Sequence, residues 1–164
     1  MNSFIIAALL IALIGVAYQT GWAKSRALAT PDGVRVHSRP QYHGALVAIW
    51  ALVPALLIVA VWAYFSEAAS RAYVIAQLPA EVVGALDQNG VNALVSRVRA
   101  LASGFGVAGT VQPYETAAGD SLAWFQLVTF LLMIAAAAGS GILALLYSRR
   151  RITPRLRARN SVER

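Results

Sequence analysis

The sequence predicts an all-α integral membrane protein, with three transmembrane helices and a small helical segment on the outer side between the second and third. Three observations carry this. Three uncharged apolar runs, 4–22, 44–65 and 122–147, are long enough to cross a bilayer as helices, which takes about 20 apolar residues each. The chain is 59% hydrophobic, where soluble domains sit near about 45–50% apolar. Its Lys and Arg residues gather between the first two runs and after the third, as the positive-inside rule requires of cytoplasmic segments.

The first run begins almost at the N-terminus. Only Asn2 and Ser3 separate Met1 from Phe4, so the positive n-region of a signal peptide is missing, and the apolar run is longer than a signal-peptide core. An uncleaved spanning helix is expected. Ala8 and Ala12, four apart, with Gly15 beyond them, make a small-residue face where another helix can approach.

Residues 23–43 form a polar loop with Lys24, Arg26, Arg35 and Arg39 against Asp32. Thr30-Pro31-Asp32-Gly33 within it is a turn signal. No Lys or Arg precedes the first helix, which places this loop in the cytoplasm and the N-terminus outside. The second run contains Pro54. A proline there has no N–H for the carbonyl of Trp50, four residues earlier, and predicts a kink that neighbouring helices can repair. Tyr42 and Trp50 near one end, and Tyr64 and Phe65 at the other, fit the interfacial aromatic belt.

Residues 66–121 carry Arg71, Arg97 and Arg99 against Glu67, Glu81, Asp87, Glu115 and Asp120. The acidic balance suits the side opposite the basic loop. Val74, Leu78, Val82 and Leu86 recur at helical spacing, with Pro79 opening a new helix at its first turn. Asn89-Gly90 reads as a turn. Val91, Leu94, Val95, Val98, Leu101 and Ala102 share one face of a second helix. Residues 103–109 are a glycine-rich stop, and 111–120 a loop with Pro113. Two short helices in a hairpin are expected, with too little core to stand alone, leaning on the membrane helices or a partner.

Asp120 or Ser121 is the expected N-cap of the third span, and Trp124 and Phe125 anchor its outer end. Ala135 with Gly139, and Ala137 with Gly141, form small-xxx-small pairs for helix packing. After residue 148 come Arg149, Arg150, Arg151, Arg155, Arg157, Arg159 and Arg164 against Glu163 alone. This tail, 149–164, marks the cytoplasmic side, with Arg149, Arg150 and Arg151 at the membrane surface. The organisation is thus 1–65, two spans around the basic loop; 66–121, the outer segment; 122–148, the third span; and the tail.

Catalytic chemistry has little to stand on. No Asp, Glu, Lys, Arg or His lies inside the three runs, and intramembrane ionisable groups are what normally mark ion paths and substrate sites. His37 and His43 are six apart on a loop without a carboxylate motif, so no metal site is expected. There is no cysteine, no phosphate-cradling glycine loop and no Ser-His-Asp arrangement. No enzyme activity and no cofactor are expected. The net charge of +7 fits anionic lipid on the inner face; nucleic acid is not expected, because no basic stretch is interleaved with aromatics.

Arg39-Pro40-Gln41-Tyr42-His43-Gly44, then Ala48-Ile49-Trp50-Ala51-Leu52-Val53-Pro54-Ala55-Leu56, resemble the N-terminal extension of PstC, a permease subunit of the bacterial phosphate ABC importer, in its long proteobacterial form. Arg157-Ala158-Arg159-Asn160-Ser161-Val162-Glu163-Arg164 is similar to the segment just before that family's transport core. The resemblance implies an inner-membrane protein with a periplasmic segment at 66–121, a periplasmic N-terminus and a cytoplasmic C-terminus. It implies a structural or regulatory role in phosphate uptake. Implied partners are membrane lipid, the permease core and the partner permease subunit, and indirectly the ATPase and the phosphate-binding protein. The transport core and a cytoplasmic Glu-Ala-Ala coupling loop are missing, so no substrate or coupling residue carries over. A stand-alone membrane sensor or adaptor, with the outer helical segment as its binding part, is the alternative expectation.

Overall fold

A computed structural model describes residues 2–28 and 40–151. They form five α-helices: α1 (Asn2–Leu28), α2 (Pro40–Gln77), α3 (Ala80–Gly84), α4 (Gln88–Ala102) and α5 (Pro113–Arg151). No strand occurs among the described residues, and the class is all-α. Three of the helices are long and apolar enough to cross a membrane, over Phe4–Ala27, Gln41–Gln77 and Pro113–Ser148. The turn at Thr30-Pro31-Asp32-Gly33, Arg35, His37, Arg39, and the tail from residue 152 lie outside the described residues.

Helix lengths differ from the sequence expectation. α2 has 38 residues and α5 has 39; at about 1.5 Å per residue each is close to 57 Å long. A hydrocarbon core about 30 Å thick cannot contain that length at ordinary tilts. The helix therefore continues past Phe65, where the apolar run ends, and stops only before Pro79, whose ring disfavours helical geometry in the preceding residue. α5 likewise starts at Pro113, seven residues before the expected cap at Asp120. Pro113 sits at the first helical position, where its missing N–H costs nothing. Glu115 reaches back and accepts the Gln112 N–H at 3.0 Å, the carboxylate half of a capping box. Residues 113–120 are thus helix, not loop.

Asn89 and Gly90 also differ from expectation. They lie in the first turn of α4, whose N-cap is Asp87, and the Asp87 carboxylate accepts the Gly90 N–H at 2.8 Å. α4 ends in a Schellman motif: Phe105 N–H donates to the Ala100 carbonyl at 3.1 Å and Gly104 N–H to that of Leu101 at 3.0 Å. Gly104, with φ +73°, supplies the left-handed residue this cap requires.

The chain divides into two units, one of Met1–Ala60 with Met133–Arg164, the other Val61–Leu132. In the second unit a core of Val74, Leu78, Leu94, Val95, Val98, Ala118 and Leu122 joins α2, α4 and α5. Tyr73 stacks on Phe125 with ring centroids 4.3 Å apart. The face of α4 expected from its spacing is the buried one. In the first unit Ala17, Val47, Ala48, Ala51 and Leu145 form a core shared by α1, α2 and α5. Hydroxyls along the long helices return to their own backbone: Thr20 to Ala17, Thr129 to Phe125, Ser140 to Ala137 and Ser148 to Ala144. This satisfies them where water is absent.

Candidate functional site

α1 and α2 cross at a pair of glycines. A Cβ on Gly21 would stand 2.8 Å from the His43 carbonyl oxygen and 3.0 Å from Gly44 Cα. A Cβ on Gly44 would stand 2.9 Å from the Tyr18 ring and 3.0 Å from its carbonyl oxygen. Both meet backbone, which cannot rotate aside, so the two helices approach to a distance only glycine permits. On α1, Ala17, Gly21 and Ser25 follow one another every four residues and are all buried. His43, Gly44, Val47, Ala48, Ala51 and Ala55 are the buried positions of α2 in the same unit. α5 enters through Gly141, where a Cβ would stand 2.6 Å from a Leu13 methyl.

Of the residues singled out for helix packing, Ala137 is fully buried and Gly141 lies on Leu13. Ala135, Ala8 and Ala12 are exposed, and Gly139 is half-buried with open space beside its Cα. Pro54 is half-buried inside an unbroken α2. Arg149, Arg150 and Arg151 close α5, and Arg150 is exposed. The step that marks the crossing, 17-21-25, lies about two and a half turns beyond the 8-12-15 face read from sequence, on the other side of α1. Its four-residue spacing is visible in the sequence, though spacing alone does not choose between the two faces.

Two polar groups in this unit are buried without hydrogen-bond partners among the described residues. They are both ring nitrogens of His43 and the Ser25 hydroxyl. His43 is fully buried and its carbonyl touches Gly21, so it belongs to the crossing rather than to a loop. Among the described residues no three His, Asp or Glu side chains gather as a metal site would need.

The electrostatic feature of the second unit is a clamp at Arg97. Its Nε donates to Glu115 Oε1 at 3.0 Å and one terminal nitrogen to Oε2 at 3.2 Å. The remaining donors reach the carbonyls of Ala108 at 2.9 Å and Thr110 at 3.2 Å. The hydrogen bond to Glu115 raises the Arg97 pKa above its already high ordinary value, so the clamp cannot be opened by pH acting on the guanidinium. Arg97 thus ties α4, the glycine-rich loop and the first turn of α5 together. Arg99 pairs with Glu67, whose side chain is mostly exposed, and pairs of that kind contribute little. Sequence reasoning noted Arg97 and Glu115 only as charges; residues 18 apart that meet through a loop leave no local signal. The arrangement can hold helices and a loop in place.

Residues 7–164 match a family model described as Phosphate ATP-binding cassette transporter. No curated protein and no solved structure matches the chain.

Proposed function

The chain belongs to this phosphate ATP-binding cassette transporter family, and from that membership we propose that it is the N-terminal membrane extension of the permease subunit PstC. In this reading it is non-catalytic, packs on the transport core, and has a structural or regulatory role in phosphate uptake. The match across residues 7–164 carries the reading. The absence of ionisable residues from the runs 4–22, 44–65 and 122–147 supports it, because a charged-solute pathway would need such groups or a polar lining. So do the small residues left on open faces: Ala8, Ala12, Ala135 and Gly139 offer another helix the close approach that lipid-embedded association relies on. The basic loop and tail face the cytoplasm of the inner membrane, and α3 and α4 lie on the periplasmic side. The partners are the permease core and its partner subunit, with the ATPase and the phosphate-binding protein reached through them.

Co-purification tests the assignment. A tagged chain co-expressed with the two permease cores and the ATPase should retain the permease core through detergent extraction. Recovery of the chain alone, under conditions where the two cores still hold each other, overturns it. The orientation has its own test, made clean by the absence of cysteine. Phe105→Cys should react with a membrane-impermeant thiol reagent applied from outside, and Arg150→Cys should not.

A further inference from the structure

α2 and α5 enclose a groove of about 810 Å³ in the first unit, lined by Ile49, Trp50, Val53, Leu57, Leu143 and Tyr147 among others. We propose that this groove holds an acyl chain of an anionic phospholipid, with its head group on Arg150.

The lining excludes a polar ligand. It contains no ionisable residue except the phenol of Tyr147, and the Ser140 hydroxyl is already spent on the Ala137 carbonyl at 2.9 Å. The depth argues for one lipid chain rather than a partner's spanning helix. From Leu46 to Leu57 the α2 side of the lining covers eleven steps, or about 16 Å. That is one leaflet of a hydrocarbon core about 30 Å thick, where a spanning helix would need the full depth. The volume lies within the range of small-molecule sites, about 300–1,000 Å³.

Charge at the mouth chooses the lipid. Trp50 and Tyr147 meet one turn inside Leu46, towards the end of the groove nearer Arg150 in the chain, with ring centroids 6.3 Å apart. Arg150 follows Tyr147 by three residues on α5 and is exposed, so it continues the same helix face. Arg149 and Arg151 flank it in sequence. The inference depends on the chain sitting in a bilayer and not on its packing against a transport core.

The test uses the full chain in nanodiscs with Trp50 as sole tryptophan (Trp22→Phe, Trp62→Phe, Trp124→Phe). Quenching of Trp50 by brominated phosphatidylglycerol is compared with quenching by brominated phosphatidylcholine. The anionic lipid should reach half-maximal quenching at about a fivefold lower fraction, the effect of one well-placed arginine. Arg150→Ala should remove most of that preference without moving Trp50 emission. Ala144→Phe, which fills the groove, should reduce quenching by both lipids. Equal quenching by the two lipids, or a preference that survives Arg150→Ala, overturns the proposal. So does quenching by neither, which would mean that protein covers the groove.

Discussion

The two units of this chain solve the same problem, holding long helices together, with opposite side chains. In Val61–Leu132 the contacts are large: Leu78, Leu94, Val98 and Leu122 are buried and Tyr73 stacks on Phe125. In Met1–Ala60 with Met133–Arg164 they are mostly small: Ala17, Gly21, Gly44, Ala48, Ala51 and Gly141, with His43, Val47 and Leu145 among them. In the proposed topology the difference follows the solvent that most of each unit meets. Water rewards the burial of large apolar side chains. Lipid does not, because its tails are as apolar as leucine, so association there depends on close van der Waals approach. α2 and α5 each contribute residues to both units and change their packing chemistry along their length.

The largest expected effect breaks the water-side solution. Leu122 is fully buried in the second core, and Leu122→Ala should cost about 3 kcal/mol. Hydrogen exchange should show α4 amides losing protection while α1 amides keep theirs. Equal loss in both places would mean that the two packing schemes are not separate.

Next come the glycines, where the lipid-side solution can be sharpened by contrast. Gly44→Leu should cost about 2–3 kcal/mol of overpacking, read by steric-trap or denaturant unfolding in micelles. Even Gly44→Ala must displace Tyr18 or the α1 backbone. At Gly15 and Gly139 an added Cβ meets nothing. Alanine there should be neutral or stabilise by up to about 1 kcal/mol, from helix propensity alone. If Gly139→Leu spares the isolated chain and yet prevents co-purification of the permease core, the open face of α5 is where the core packs.

A smaller effect is expected at the Arg97 clamp. Arg97→Ala should leave the helices folded but release the loop between α4 and α5, seen as several-fold faster exchange at residues 104–112. Arg99→Ala, which gives up an exposed carboxylate, should change exchange less. The reverse order would show that the bidentate geometry at Glu115 carries no weight.

Hydropathy made the three long helices legible, and periodicity made the buried face of α4 legible. The boundaries were not. Ser66-Glu67 ends an apolar run but not a helix, because backbone hydrogen bonding and packing at Val74 and Leu78 sustain α2 where hydropathy no longer speaks. Pro113 suggests a loop, and it begins a helix because a proline at the first position gives up no bond. The α1–α2 crossing was half legible. Gly44 stood in the motif that carries the family resemblance, but its partner Gly21 is one more glycine in an apolar stretch until the structure sets the two backbones together. A four-residue step of small residues marks a packing face; it does not say which of several such steps on one helix is used.

The smallest expected effect is the most discriminating for that crossing. His43 is buried with neither ring nitrogen bonded among the described residues. A buried polar group without a partner costs about 1–3 kcal/mol, so a side chain kept only for packing should be improved by an apolar replacement of similar size. His43→Phe in the full chain should therefore leave thermal stability unchanged or raise it slightly, within about 1 kcal/mol. A clear loss of stability would mean that the imidazole has a hydrogen-bond partner beyond the described residues. A variant of unchanged stability that lowers phosphate uptake in the assembled transporter would separate the two uses of this position. Packing would then belong to the glycines, and the imidazole would be reserved for the partner the crossing faces.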